Sequence, residues 1–226
     1  MLLAIDTATR FMSLAIHDEH ELIAEYTARI GNHHTTAVAP TLQTLMQSCE
    51  VTMQEVTAVA VSVGPGSYTG VRIGVAMAKG IASAHNLPLI GMSTLDILAY
   101  GQPNTPAGNA LIAVVQAGRG RIIVQSYRWR KGSWGSRNEP KLMNWETLIE
   151  TIDGSATISG EISEEGLETI KFAQANAIPV TIAPAGNRLR RAGFLAEAAL
   201  DRLNSTEDKS EFEAARLLPV YVKSED

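Results

Sequence analysis

The chain has 226 residues, 45% of them hydrophobic and 19% charged, with a formal net charge of −5. That length and composition fit a globular protein of one large domain or two small ones sharing an interface. The acidic balance argues against a protein that grips nucleic acid unaided, because the one basic cluster, Arg188, Arg190 and Arg191, with Arg119 and Arg121 elsewhere, is thin.

The start of the chain alternates strands with turns. Leu2 to Asp6, Phe11 to His17 and Glu21 to Ala28 read as strands, and the link Asp18-Glu19-His20 is short enough for a hairpin. His34 to Cys49 reads as an amphipathic helix with Val38, Leu42, Leu45 and Met46 on one face. Val56 to Val63 is short, apolar and β-branched, which predicts a buried strand. Gly64-Pro65-Gly66 then breaks the chain, and Ser67 or Thr69 supplies a hydroxyl to cap a helix running to about Ala84. Pro88 to Met92 is a further strand, and Ser93 caps a helix from Thr94 to about Tyr100.

Gly101 to Asn109 holds two prolines and two asparagines among its glycines and reads as a linker and hinge. Beyond it the order begins again. Ala110 to Gln116, Arg121 to Arg130 and a short Lys141 to Asn144 are strands, and Trp145 to Ile152 is a helix. A strand at Ala156 to Ser159, a helix at Ile162 to Ala175, a strand at Ile178 to Ile182 and a helix from an Asn187 cap to about Leu203 complete the second half. Asn204 to Glu211 is polar, and the closing apolar segment Leu217 to Val222 should dock somewhere. The expected architecture is α/β: two tandem lobes, 1–101 and 110–226, joined by 102–109. Each is a mixed sheet whose first three strands start antiparallel, followed by parallel strands, with helices on both faces.

The helix after Gly64 carries small residues at helical spacing. Gly70, Gly74, Ala78 and Ala82 line one stripe, and Ala76, Gly80 and Ala84 line another. A glycine in a helix interior costs roughly 1 kcal/mol against alanine, so such stripes are kept where another backbone comes close. Arg72 and Lys79 rule out a membrane reading. Two accounts remain: tight packing on the helix's own sheet, or one stripe on the sheet and the other on a partner protein.

Three segments together resemble the TsaB (YeaZ) family: Ala4-Ile5-Asp6-Thr7-Ala8-Thr9, the stretch Gly64 to Gly74, and Leu218-Pro219-Val220-Tyr221. The resemblance covers essentially the whole chain. It implies tandem lobes of the actin-like ATPase (ribonuclease H-like) type and an accessory role in making threonylcarbamoyladenosine in transfer RNA. It also implies partners: the catalytic paralogue TsaD, paired through the first lobe and its two helices; the ATPase TsaE, reached through the complex; a second copy of the chain when alone; and transfer RNA only through the complex. On this reading the expected partner-binding residues are Val38, Leu42, Leu45, Tyr68, Val71, Gly74 and Ala78.

The residues themselves argue against catalysis. Phosphate-gripping hairpins of the superfamily need a glycine after the strand-ending aspartate, so that amides reach the phosphates; here Ala8 follows Asp6 and Thr7. The second lobe delivers Gln116 where a carboxylate would hold magnesium or act as a base. TsaD-like proteins hold metal with two histidines one helical turn apart, whereas His33 and His34 are adjacent, so neither a cofactor nor a metal is expected. Asp6, Gly64, Gly66 and Ser67 form a candidate anion or cleft site, as a helix N-terminus without a phosphate-binding lysine; a tight turn feeding a close-packed helix is the competing account. Cys49 reads as a packing residue, and no Ser-His-Asp set supports proteolysis. The alternative function is nucleotide hydrolysis or phosphoryl transfer, resting on fold analogy and Asp6 alone.

Overall fold

A computed structural model describes residues 1–105 and 108–222. The chain divides into two units, the first built from Met1–Ile97 and Arg191–Val220, the second from Leu98–Arg190 and the last residues. In the first, β1 (Leu2–Asp6), β2 (Phe11–His17) and β3 (Leu22–Arg29) form the predicted antiparallel start, with Leu2 opposite His17 and Asp6 opposite Ser13. At the β2–β3 turn the Asp18 carboxylate accepts from the amides of His20 and Glu21 at 2.6 and 2.7 Å. Those two bonds, the His20 one foremost, hold its carboxyl below the usual carboxylate range.

The next elements are α1 (His34–Ser48), β4 (Ala58–Ser62), α2 (Tyr68–His85), β5 (Leu89–Met92) and α3 (Thr94–Tyr100). The sheet order is β3-β2-β1-β4-β5, with β4 parallel to β1 and β5 parallel to β4. Every residue of β1 and β4 is buried, as their unbroken apolar runs require of central strands covered on both faces. Alternation along β1 sends Leu3 and Ile5 toward α1 and α2, into a cluster with Leu14, Val59, Val61, Val71 and Val75.

The second unit contains β6 (Ala110–Gly118), β7 (Arg121–Arg130), β8 (Ser133–Ser136), β9 (Lys141–Met143), α4 (Trp145–Glu150), β10 (Ala156–Gly160), α5 (Glu164–Ala175) and β11 (Val180–Ile182). Its order is β11-β10-β6-β7-β8, with β9 paired to the other half of β7. Trp145, fully buried, anchors α4 against Ile112, Val114, Ile122, Val124 and Ile158. Strand β8 was not expected. It pairs Trp134 with Trp129 across the hairpin, their rings edge to face at 5.5 Å. Of the predicted linker, Pro106 and Ala107 lie outside the described residues.

The last helix, α6 (Ala192–Ser205), corrects two expectations. It belongs to the first unit rather than to a continuous C-terminal lobe over 110–226, and Asn187 does not cap it. Asn187 sits in a 3-10 turn, Ala185–Arg188, ahead of it. The physical reason lies in size matching. Leu2, Ala4, Ala15, Ala58 and Ala60 leave the far face of the first sheet nearly flat, and Ala192, Leu195, Ala196 and Ala199 lie flush on it. Its first amides are satisfied from the sheet: Ala192 N donates to Ser13 Oγ at 2.7 Å and Gly193 N to Glu25 Oε1 at 2.9 Å. Arg191 also pairs with Glu25. Ser13→Ala is therefore expected to lower stability by about 1–2 kcal/mol, because it strips a buried amide of its acceptor. The check is a urea midpoint with unchanged slope; a change below about 0.5 kcal/mol would speak against the cap.

The closing segment does dock, on the first unit. Val220 N donates to Val63 O at 2.7 Å, and a side chain on Gly91 would meet Leu217 Cδ1 at 2.4 Å.

Candidate functional site

Two groups of residues carry the functional reading: the loop Gly64–Ser67 under Asp6, and the surface of α1 and α2. The loop is clamped onto the β1–β2 turn. Ser67 N donates to Ala8 O at 2.6 Å, and Ser67 Oγ caps α2 by accepting from Gly70 N at 3.2 Å. A Cβ on Gly66 would lie 2.1 Å from Ala8 O, one on Gly70 2.3 Å from Thr7 O, and one on Gly74 2.4 Å from Thr7 Oγ1. Thr7 Oγ1 in turn donates to Gly70 O at 2.7 Å. These glycines are present because two backbones touch. Gly64 has φ +100°, and its Cβ position is taken by Val220 O at 2.6 Å. Asp6 is buried and accepts from Ala8 N and Ser62 Oγ, both at 2.9 Å. The Ser67 amide, the first donor an anion would seek, is committed to Ala8 O.

The partner-binding residues expected on α1 and α2 divide sharply. Val38, Leu42, Val71, Gly74 and Ala78 are buried in the unit's own core, so they are not a surface of this chain. Leu45 is half-buried, and Tyr68 is exposed with the Arg72 guanidinium 3.7 Å over its ring. The reason is that the Gly70-Gly74-Ala78-Ala82 stripe is the one facing β1 and β4. The other stripe, Ala76, Gly80 and Ala84, is exposed, with Ile73, Met77 and Ile81 half-buried beside it. A Cβ on Gly80 would meet nothing within 4 Å.

The second unit contains a buried polar group that the sequence reading missed. Glu161, just past the end of β10, lies 3.9 Å from Arg190, and both are about 95% buried. Gln116 donates its Nε2 to Glu161 O at 2.9 Å and its amide to Glu161 Oε2 at 3.3 Å. The available signal was Gly160: its φ of +116° and the 2.1 Å approach of its Cβ position to Val114 O mark a strand end that turns the next side chain inward. A carboxylate thus stands beside Gln116, supplied by the neighbouring parallel strand and paired with a guanidinium. Histidines are dispersed: His34 is buried in α1, and His17 is buried with its ring on Asp18 O. Among the described residues no three His, Cys, Asp or Glu side chains gather as metal ligands would.

Comparison with known proteins gives the family. The family model described as TsaD, tRNA N6-adenosine threonylcarbamoyltransferase, matches residues 21–208. The tRNA threonylcarbamoyladenosine biosynthesis protein TsaB of Escherichia coli is 31% identical over 161 residues, 71% of this chain and 68% of that protein. The chain belongs to the TsaB family. The Bacillus subtilis TsaB is 34% identical over 132 residues, 58% of this chain, and that match spans 56% of the relative's length. YeaZ from Pseudomonas aeruginosa superposes with a TM-score of 0.74 at 23% identity, over 98% of this chain and 99% of that one. That likeness is one of fold: an α/β chain of two units, each a mixed sheet with helices.

Proposed function

We propose that this TsaB-family chain is a non-catalytic partner subunit in threonylcarbamoyl modification of adenosine in transfer RNA. In this reading its N-terminal unit binds and activates the catalytic TsaD, and the same face pairs with a second copy when TsaD is absent. TsaE joins through the complex, and the setting is the cytoplasm. The observation that carries it is Gly80. An exposed glycine in a helix interior costs roughly 1 kcal/mol, and nothing in its own chain approaches its Cβ position. Flanked by Ala76 and Ala84, it leaves a smooth strip on which foreign backbone can lie. The clamped Gly64–Ser67 loop and the pairing of Glu161 with Arg190 support a role without phosphate chemistry of its own.

The test separates stability from binding. Gly80→Leu is expected to leave the melting temperature unchanged or slightly raised, since leucine favours helix over glycine. It should weaken TsaD binding at least tenfold, about 1.4 kcal/mol. Titration calorimetry checks this, and unaltered affinity for Gly80→Leu would remove α2 from the interface.

A further inference from the structure

We propose that the β7–β9 edge of the second unit is an RNA-docking surface that contacts the phosphate backbone of transfer RNA. The inference rests on the partner-subunit reading and adds a direct contact to it. Charge is strongly segregated in this chain. Residues 119–141 hold seven basic side chains against the single acidic Glu139, which leaves twelve basic against twenty-three acidic residues elsewhere. Structure gathers them along one edge: Arg119 lies in the β6–β7 turn, Arg121, Arg128 and Arg130 on β7, Lys131 in the β7–β8 turn, Arg137 in the β8–β9 link and Lys141 at the start of β9. Arg128, Arg130, Lys131, Arg137 and Lys141 are exposed, and among the described residues none of the five is in an ion pair.

The shape fits a polynucleotide. Arg128 and Arg130 share one face of β7 at a spacing of about 6.6–6.8 Å, so each can meet a different phosphate of one strand. On the same face, by strand alternation, Val124 and Ser126 border a hollow of about 300 Å³. Its floor is apolar, from Ala110, Ile112, Val124 and Ala156, and its rim carries Arg137, Asn138 and Lys141, with Asp153 on the α4 side. Leu148 of α4 and the turn after that six-residue helix, Thr151 to Ser155, close its other side. Cations around an apolar floor suit an unstacked base with its phosphates. A lipid surface fits less well: Trp129 and Trp134 pack on each other, and Trp134 Nε1 donates to Gln102 O at 3.1 Å, so neither is presented as a wedge.

The experiment titrates a fluorescein-labelled transfer RNA transcript with the complex of the full chain and TsaD, following anisotropy across salt concentrations. The triple variant Arg128→Glu/Arg137→Glu/Lys141→Glu should bind at least tenfold more weakly, with the log–log salt slope smaller by about two. Lys171→Glu, an exposed cation on α5, should change affinity less than twofold. Thermal melts and co-elution with TsaD should match wild type for both variants. If the triple variant binds RNA within twofold of wild type, the proposal is overturned; so it is if the wild-type chain pellets with phosphatidylglycerol vesicles while RNA affinity ignores these residues. Failure of the wild-type chain to co-elute with TsaD would instead count against the partner reading, and the same ratio would then be required of the chain alone.

Discussion

Gly74→Leu is expected to destabilise the first unit by about 4 kcal/mol, with a fall in its melting temperature of the order of 10 °C. The cause is local and threefold. The Cβ position is already 2.4 Å from Thr7 Oγ1 and 3.7 Å from Val61 Cγ2, so four added carbons have no space between α2 and the sheet. Thr7 would have to turn away, and its 2.7 Å bond to Gly70 O would be lost. The loop clamp between Ser67 and Ala8 sits at the same junction and would loosen with it. The sequence reading placed Gly74 among the partner-binding residues, because the pattern could not say which stripe of α2 faces inward. A thermal melt decides: a loss under about 1 kcal/mol would mean that α2 can lift from the sheet without cost.

Trp145→Ala should be nearly as damaging in the second unit, by about 3–5 kcal/mol. Trp145 is fully buried and is the largest side chain in that core. Its ring lies against the backbone of α5, where a Cβ on Gly166 would come within 2.4 Å of it. Its Nε1 donates to Ser163 Oγ at 3.1 Å, the same hydroxyl that caps α5 by accepting from Gly166 N at 3.2 Å. Removing the ring opens a cavity between α4 and α5 and leaves the glycine without its neighbour. Urea unfolding followed by circular dichroism measures it, and a midpoint unchanged from wild type would mean that α4 contributes nothing to this core.

Much of the fold was legible because local pattern and burial agree. The apolar run of β4 announced a buried strand, the Asp18 turn announced a hairpin, and the hydroxyls of Ser67 and Thr69 announced an α2 cap, which Ser67 supplies. What was not legible depended on contacts between distant segments. The helix α6 reads locally as the last element of a second repeat, and only the flat, alanine-rich surface of Ala4, Ala15, Ala58 and Ala60 shows where it lies flush. Strand β8 is four residues long with a central glycine, so its pairing with β7 overrode weak propensity. The partner face was half legible: both small-residue stripes were visible, but Thr7, sixty-seven positions before Gly74, decides which one is core. Glu161 and Arg190 meet across 29 residues, and the basic β7–β9 edge emerges only when its turns bring Arg137 and Lys141 beside Arg128.

The central claim is that this chain supports another protein's chemistry rather than performing its own. Its most direct measurement is nucleoside analysis of transfer RNA after incubation with TsaD, TsaE, threonylcarbamoyl-adenylate and ATP, with and without this chain. Modified adenosine is expected only when the chain is present, and that stimulation should be lost with Gly80→Leu. Equal modification in its absence, or steady magnesium-ATP turnover by the chain on its own, would contradict it.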